Sequence, residues 1–308
     1  MSAIKNVTVL GGSGNLGPAI INELLVAGFS VTALTRAENS ATPSFPDSVR
    51  VVPVDYSSVD SLKSALTGQD AVVSVIATAA VGSSAQRNAI DGALAAGVKR
   101  FIPSEFGINT RKVRGTPIGK ILGGKIATVD YLEELAAKNP GFTWTGLTTG
   151  LFFDWGLDRF GLGIVNLKDK TSTVVDSGNE KFQASTLAQV GRAVAHILQH
   201  PAETANKYIG TASFNLSQNE LIALVEELTG QKFPVTTRIT SEELRKKGEE
   251  KLEKGDFSAF LELLTVHNNA DGAGNALLEE QSANGLIGLP YEDLRKEVEA
   301  WLKRAAAL

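Results

Sequence analysis

Val7-Thr8-Val9-Leu10-Gly11-Gly12-Ser13-Gly14-Asn15-Leu16-Gly17 is a short apolar run broken by a cluster of glycines. The leading residues have the branched, apolar character of a buried strand. Pro18 then begins a second apolar run at a first-turn position, where its missing N–H costs nothing. Glycine between the two allows a tight turn and lets backbone amides approach a phosphate, whose charge is favoured by a helix N-terminus. The run satisfies both the GxGxxG and GxxGxxG spacings, and Ser13 adds a hydroxyl donor. A ligand-free turn uses the same glycines, but a strand before and a helix after favour a dinucleotide cradle formed by Gly11, Gly12, Ser13, Gly14, Asn15, Leu16 and Gly17.

Working outward, short Val- and Ile-rich runs alternate with longer amphipathic stretches as far as Leu147. This is the pattern of βαβ units on a parallel sheet. The spacing predicts strands at Val7–Leu10, Ser30–Leu34, Val49–Val54, Ala71–Val75, Arg100–Ile102 and Phe142–Leu147. Helices are predicted at Pro18–Ala27, Val59–Leu66, Ser84–Ala96 and Ile118–Lys138, and the loop 37–47 is the main break. After Gly150 the alternation gives way to helix-rich stretches at Thr186–Leu198, Gln218–Leu228, Ser241–Glu253 and Glu292–Lys303. The expected architecture is α/β: a Rossmann-type, doubly wound parallel sheet over residues 1–150 and a smaller α+β substrate lobe over 151–308, with some interleaving.

Such a sheet binds ligands outside the carboxyl ends of its strands. At the second strand end, where an NAD site carries an acid for the ribose hydroxyls, the chain reads Leu34-Thr35-Arg36. A guanidinium accepts no hydrogen bonds but pairs bidentately with a 2′-phosphate and stacks on adenine. The expected cofactor is therefore NADP(H), with Glu38 the one acid nearby. Two further strand ends should border the same crevice: Asp55-Tyr56 beside the adenine and Ala77-Thr78-Ala79 along the nicotinamide ribose.

Thr116-Pro117 is a cap and first-turn pair for the long helix that follows. At about 100° per residue, Ile118, Ile121, Leu122, Val129, Leu132 and Ala136 all project within roughly 60° of Lys125, whereas Lys120 and Lys138 fall about 140° away. A lysine centred on an apolar face snorkels to water, pairs with a carboxylate or acts on a ligand. Gly123-Gly124, just upstream, weaken the helix and leave room for close approach.

Other groups carry less. His196 and His200 lie four apart but lack a third metal ligand, so no metal is expected, and His267 is isolated. Phe152, Phe153 and Trp155 follow the last predicted strand of the dinucleotide half and are candidate walls of an aromatic substrate pocket, although such residues are as readily core. The 308 residues contain no cysteine, which excludes disulfides and thiolate chemistry. A net charge of −4 provides no basic field for nucleic acid, and the charged run from Arg245 to Lys254 reads as a solvated helix face. There is no signal-like N-terminus and no apolar stretch long enough to span a bilayer, so a soluble cytoplasmic protein with a small-molecule substrate is expected.

These features resemble the NmrA-like, isoflavone reductase-like branch of the atypical short-chain dehydrogenases, fungal members above all. The likeness is strongest in Val9–Gly17, in Lys99-Arg100-Phe101-Ile102-Pro103-Ser104-Glu105-Phe106-Gly107, and around Lys125. The resemblance implies that Lys125 is the active-site lysine and Arg36 the 2′-phosphate contact, with Ser104, Glu105 and Phe106 at the nicotinamide end. It also implies an NADPH-dependent reductase of an enone, quinone or benzylic ether, the alternative being a non-catalytic dinucleotide sensor. The Tyr-x-x-x-Lys dyad of ordinary short-chain dehydrogenases is missing: the residues four after Tyr56, Tyr131, Tyr208 and Tyr291 are Asp60, Leu135, Ala212 and Arg295. The segment after Gly150 departs from the plant reductases, so their substrates do not transfer.

Overall fold

The computed structural model describes residues 3–37, 44–81 and 84–306; Glu38 and most of the predicted 37–47 loop lie outside them. The first half runs β1 (Asn6–Leu10), α1 (Gly17–Val26), β2 (Ser30–Arg36), β3 (Arg50–Val54), α2 (Val59–Leu66), β4 (Ala71–Ser74), α3 (Thr78–Val81), α4 (Ser84–Ala95), β5 (Arg100–Ile102), α5 (Pro117–Ile121), α6 (Gly123–Lys138) and β6 (Thr143–Thr148). The second runs β7 (Leu151–Phe152), α7 (Phe153–Phe160), β8 (Val165–Asn166), β9 (Thr171–Val175), β10 (Phe182–Ser185), α8 (Leu187–Gln199), β11 (Lys207–Gly210), β12 (Phe214–Leu216), α9 (Gln218–Thr229), β13 (Val235–Ile239), α10 (Ser241–Glu253), α11 (Ala259–Asn269) and α12 (Leu294–Ala306).

Among the described residues the main sheet has seven strands in the order β11-β6-β5-β4-β1-β2-β3. Every pairing in it is parallel, with β1 registered against both β2 and β4. A parallel sheet with helices on both faces is buried on both, which is why β4 and β5 are buried at every residue and β1 at all but its first. One face packs on α1 and α8 through Ile20, Leu24, Val190, Val194 and Ile197, all 0% exposed. The other packs on α2, α4 and α6 through Leu62, Leu66, Ile90, Val129 and Leu132. The chain order reverses at the junction of β1 and β4, so the carboxyl ends of β1, β2, β4 and β5 open on one crevice, the ligand position in doubly wound folds.

The sheet takes its last strand, β11, and one covering helix, α8, from beyond Gly150. Two smaller sheets, β12-β10-β7 and β13-β9-β8, surround a separate core of Phe153, Phe182, Phe214, Leu221 and Trp301. Arg100 fastens the main sheet to the α8–β11 connection: its guanidinium, 1% exposed, donates to the Thr143, Thr145 and Thr204 hydroxyls and to the Pro201 carbonyl at 2.6–3.1 Å.

The long predicted helix over 118–138 divides at Leu122, whose φ of −88° and ψ of 11° end α5 before α6 begins. Gly123 and Gly124 follow, and two glycines in succession are poor at continuing a helix through an irregular residue. Ile118 and Leu122 then pack in a different cluster, with Ile108, Val113 and Leu263, from that of Val129 and Leu132. Lys125 lies in the first turn of α6, between the two.

Candidate active site

The glycine loop is built by close contact. Gly11 has a φ of +77°, and a Cβ on it would lie 2.8 Å from the Val75 carbonyl oxygen at the end of β4. A Cβ on Gly17 would come within 2.1 Å of the Gly12 carbonyl oxygen, so strand and helix meet there at backbone distance. Among the described residues the turn is closed by Gly14 N–H donating to the Gly11 carbonyl at 3.0 Å. Ser13, Gly14 and Asn15 are exposed. No partner is seen among the described residues for the amides of Ser13, Asn15 and Leu16. α1 has no side-chain cap, unlike α2, α5, α8, α9 and α10, each capped by a Ser or Thr hydroxyl, and it has no acid in its first turn, unlike α2, α9 and α10. An uncapped helix start beneath a strip of free amides fits the phosphates of a dinucleotide. The Leu16 side chain itself is core, 7% exposed.

Arg36 ends β2 with its side chain exposed and without an ion pair among the described residues. The Tyr56 hydroxyl lies beneath it and donates to the Leu34 carbonyl. Burial pushes that hydroxyl up to about 12, with the Gly11 amide and the Arg36 charge pulling the other way. The Asp55 carboxylate is turned back on its own loop, where the Ser57 hydroxyl and amide hold it below the usual carboxylate range. Ala77 and Thr78 stand exposed past the end of β4, next to the glycine loop.

Past β5, Ser104, Glu105 and Phe106 are 5%, 1% and 7% exposed. Ser104 donates its hydroxyl to the Ile76 carbonyl at 2.7 Å, tying the ends of β4 and β5 together. Gln86 on α4, fully buried, accepts from Ser74 at 2.7 Å and donates to Thr128 on α6. The Glu105 carboxylate accepts from Thr110 at 2.6 Å and Tyr208 at 2.7 Å through one oxygen, and its other oxygen is buried with no partner among the described residues. Tyr208 comes from β11, opposite Gly146, where the missing Cβ makes room for its ring.

Lys125, 8% exposed, donates from Nζ to the Glu105 carbonyl oxygen at 2.7 Å. It makes no ion pair among the described residues. Burial pulls its pKa below the ordinary lysine value, and the Glu105 carboxylate partly offsets that pull. Of the three fates open to a lysine on an apolar face, snorkelling to water and a carboxylate ion pair are therefore not the ones observed.

The aromatic residues after β6 are scattered. Phe153 is a correction to the expected pocket wall: it is 0% exposed and packs edge-on against Phe214 at 4.7 Å, inside the second core. Phe152 is half-buried against the main core, and Trp155 packs edge-on against Phe160 at 5.9 Å. His196 and His200 make backbone contacts, with the Ile287 and His196 carbonyls, and no metal-holding cluster occurs among the described residues. No helix among them is long and apolar enough to cross a membrane. Gln86 and Tyr208 had no local signature, because their partners Thr128 and Glu105 lie 42 and 103 residues away in the chain, and Thr110, five residues past Glu105, sits in a loop without a recognisable pattern.

A model of the NmrA-like family matches residues 3–274. The chain is 35% identical over 283 residues to Oxidoreductase poxI of Penicillium oxalicum, covering 91% of this chain and 88% of that one. It is 34% identical over 302 residues to Oxidoreductase aprR of Aspergillus flavus, covering 96% and 98%. The solved structure of AtPrR2 with NADP+ and (+)pinoresinol shares the fold at a TM-score of 0.78 and 21% identity, covering 98% of this chain and 99% of that one.

Proposed function

Because the chain is an oxidoreductase that belongs to the NmrA-like family, we propose that it is an NADPH-dependent reductase of a small aromatic or unsaturated molecule, with Lys125 as its catalytic residue. The observation that carries this reading is a lysine buried at the β5 end of the crevice with only a neutral carbonyl for a partner among the described residues. A desolvated ammonium there is costly to the fold and suited to meeting negative charge that develops on a substrate.

In this reading residues 1–150 hold the dinucleotide and 151–308 shape the substrate side, with β11 and α8 reaching back to complete the sheet. The amides of Ser13, Asn15 and Leu16 bind the pyrophosphate at the start of α1, and Arg36 pairs with the 2′-phosphate. Bound NADPH would supply the hydride. Lys125 holds its ammonium at the substrate oxygen of an enone, quinone or benzylic ether and gives up a proton from Nζ as that oxygen gains charge. Its lowered pKa makes that transfer easier than from a solvated lysine. Ser104 and Gln86 keep the strand ends in place, and Asp55, Ala77, Thr78, Glu105 and Phe106 complete the walls, with Phe152 and Trp155 on the substrate side.

The test is Lys125→Ala, assayed for NADPH oxidation across enones, quinones and aromatic ethers and for NADPH binding by fluorescence. Turnover should be lost while affinity stays within about threefold, since Lys125 acts in the chemical step. Full activity in the variant would reject the role. Cofactor binding by the wild type with no turnover on any of these compounds would favour a sensor.

A further inference from the structure

Between α5 and the α10–α11 pair lies an open cavity of about 360 Å³, the low end of the range that holds small organic ligands. Ile118, Leu263 and Val266 supply apolar walls, and Lys112, Arg245, Glu249 and His267 supply polar ones. It borders the loop that leads away from Glu105, whose carbonyl receives Lys125. His267 also lines a smaller void reaching Thr148 and Gly150 at the end of β6. The cavity therefore lies on the carboxyl side of the sheet.

Its charge is unbalanced. Lys112 and Arg245 are exposed, and neither makes an ion pair among the described residues, although the Arg245 charge reaches Asp176; among the described residues Glu249 is the one acid in the wall. Two cations against one carboxylate favour a single negative charge. The Asn275 side-chain nitrogen donates to the His267 carbonyl at 2.6 Å and lies 3.4 Å from His267 Nδ1. An amide nitrogen has only hydrogens to give, so Nδ1 accepts and the ring proton belongs on Nε2. That Nε2–H has no partner among the described residues, on a ring that lines the cavity. Burial, and then the nearby Lys112 charge, bring the pKa of the ring down to about 4, so it donates as a neutral group.

We propose that this cavity binds the acidic end of a small aromatic carboxylate, its ring against Ile118, Leu263 and Val266, its carboxylate held by Lys112 and Arg245 and oriented by His267. The proposal goes beyond the reductase reading: it assigns a ligand class to a cavity whose walls include neither Lys125 nor the aromatic residues that follow β6.

Calorimetry on the full chain, with cinnamate and methyl cinnamate as probes, separates the two ideas because it needs no turnover. The wild type should bind cinnamate about tenfold or more tightly than the ester, the scale of a lost charge-assisted hydrogen bond. Lys112→Ala/Arg245→Ala should remove that preference and leave ester binding unchanged; both sites are exposed, so the double variant should fold. Equal affinity for the two probes in the wild type, or a preference that survives in the double variant, overturns the proposal. NADPH titrated into the same samples reports on the reductase reading independently: loss of NADPH binding with the cinnamate preference intact would leave the cavity assignment standing.

Discussion

Lys125 and His267 are both ionisable groups kept from water, and each gives a pH signature. A lysine whose folded pKa is lowered destabilises the fold at every pH below its ordinary value, because only the unfolded chain is solvated well enough to hold the proton freely. Lys125→Met should therefore abolish turnover with Tm unchanged or higher, whereas a lysine serving the fold would lower it. In the active protein the alkaline limb of kcat/KM should lie below 10.5. Glu105→Gln, which removes the carboxylate that raises the Lys125 pKa, should move that limb further down. For His267 the folded value is about 4 against 6.5 for a free ring. The unfolded chain then binds the extra proton between these values, and stability falls as pH drops through that window, by roughly 3 kcal/mol when complete. Urea midpoints at pH 7 and pH 4.5 should diverge more in the wild type than in His267→Gln; equal divergence would show that the ring does not titrate as described. Lys125 was legible from the helical wheel because an amphipathic stripe displays a misplaced charge. His267 was not, because its neighbours Lys112 and Asn275 come from other segments.

At the scale of elements, the turn from β1 to α1 depends on Gly17. A Cβ there would meet backbone, which cannot swing aside as a side chain does. Gly17→Ala should cost about 1–3 kcal/mol of stability, as overpacking does, and weaken NADPH binding at least tenfold by displacing the loop amides; unchanged binding by the folded variant would separate loop from ligand. The strands of the β1–β6 half, with α1, α2 and α4, were readable from their apolar patterns, whereas α3 (Thr78–Val81), four residues long, is too short to show a period. β7, β8, β10 and β12 are two to four residues long, too short for a period to be seen. α7 hid in what reads as an aromatic cluster, and α11 in a stretch without a clear cap. The break at Leu122 came with a visible warning, Gly123-Gly124, but the apolar stripe of one helix continues by chance into the next.

For the molecule as a whole, the order of strands places the candidate site where the chain direction across the sheet reverses. Sequence periodicity can suggest such a sheet, but it does not say that β11, some sixty residues past β6, completes it. Arg100 is the residue that makes this closure cooperative, a buried cation with four neutral oxygens around it. Arg100→Met strips those acceptors of their donor and should cost about 1–3 kcal/mol, the scale of buried polar groups left unsatisfied once the relief of the desolvated charge is set against them, read as a lower urea midpoint; a loss under 1 kcal/mol would mean that the β6–β11 seam holds without it. The glycine loop and Arg36 lie at the opposite side of the sheet from that seam, and what they select is open to direct measurement. Calorimetric titration of the intact protein with NADPH and with NADH should give at least tenfold tighter binding of NADPH, the difference disappearing in Arg36→Ala. Equal affinity for the two dinucleotides in the wild type would contradict a guanidinium reading the 2′-phosphate at the end of β2.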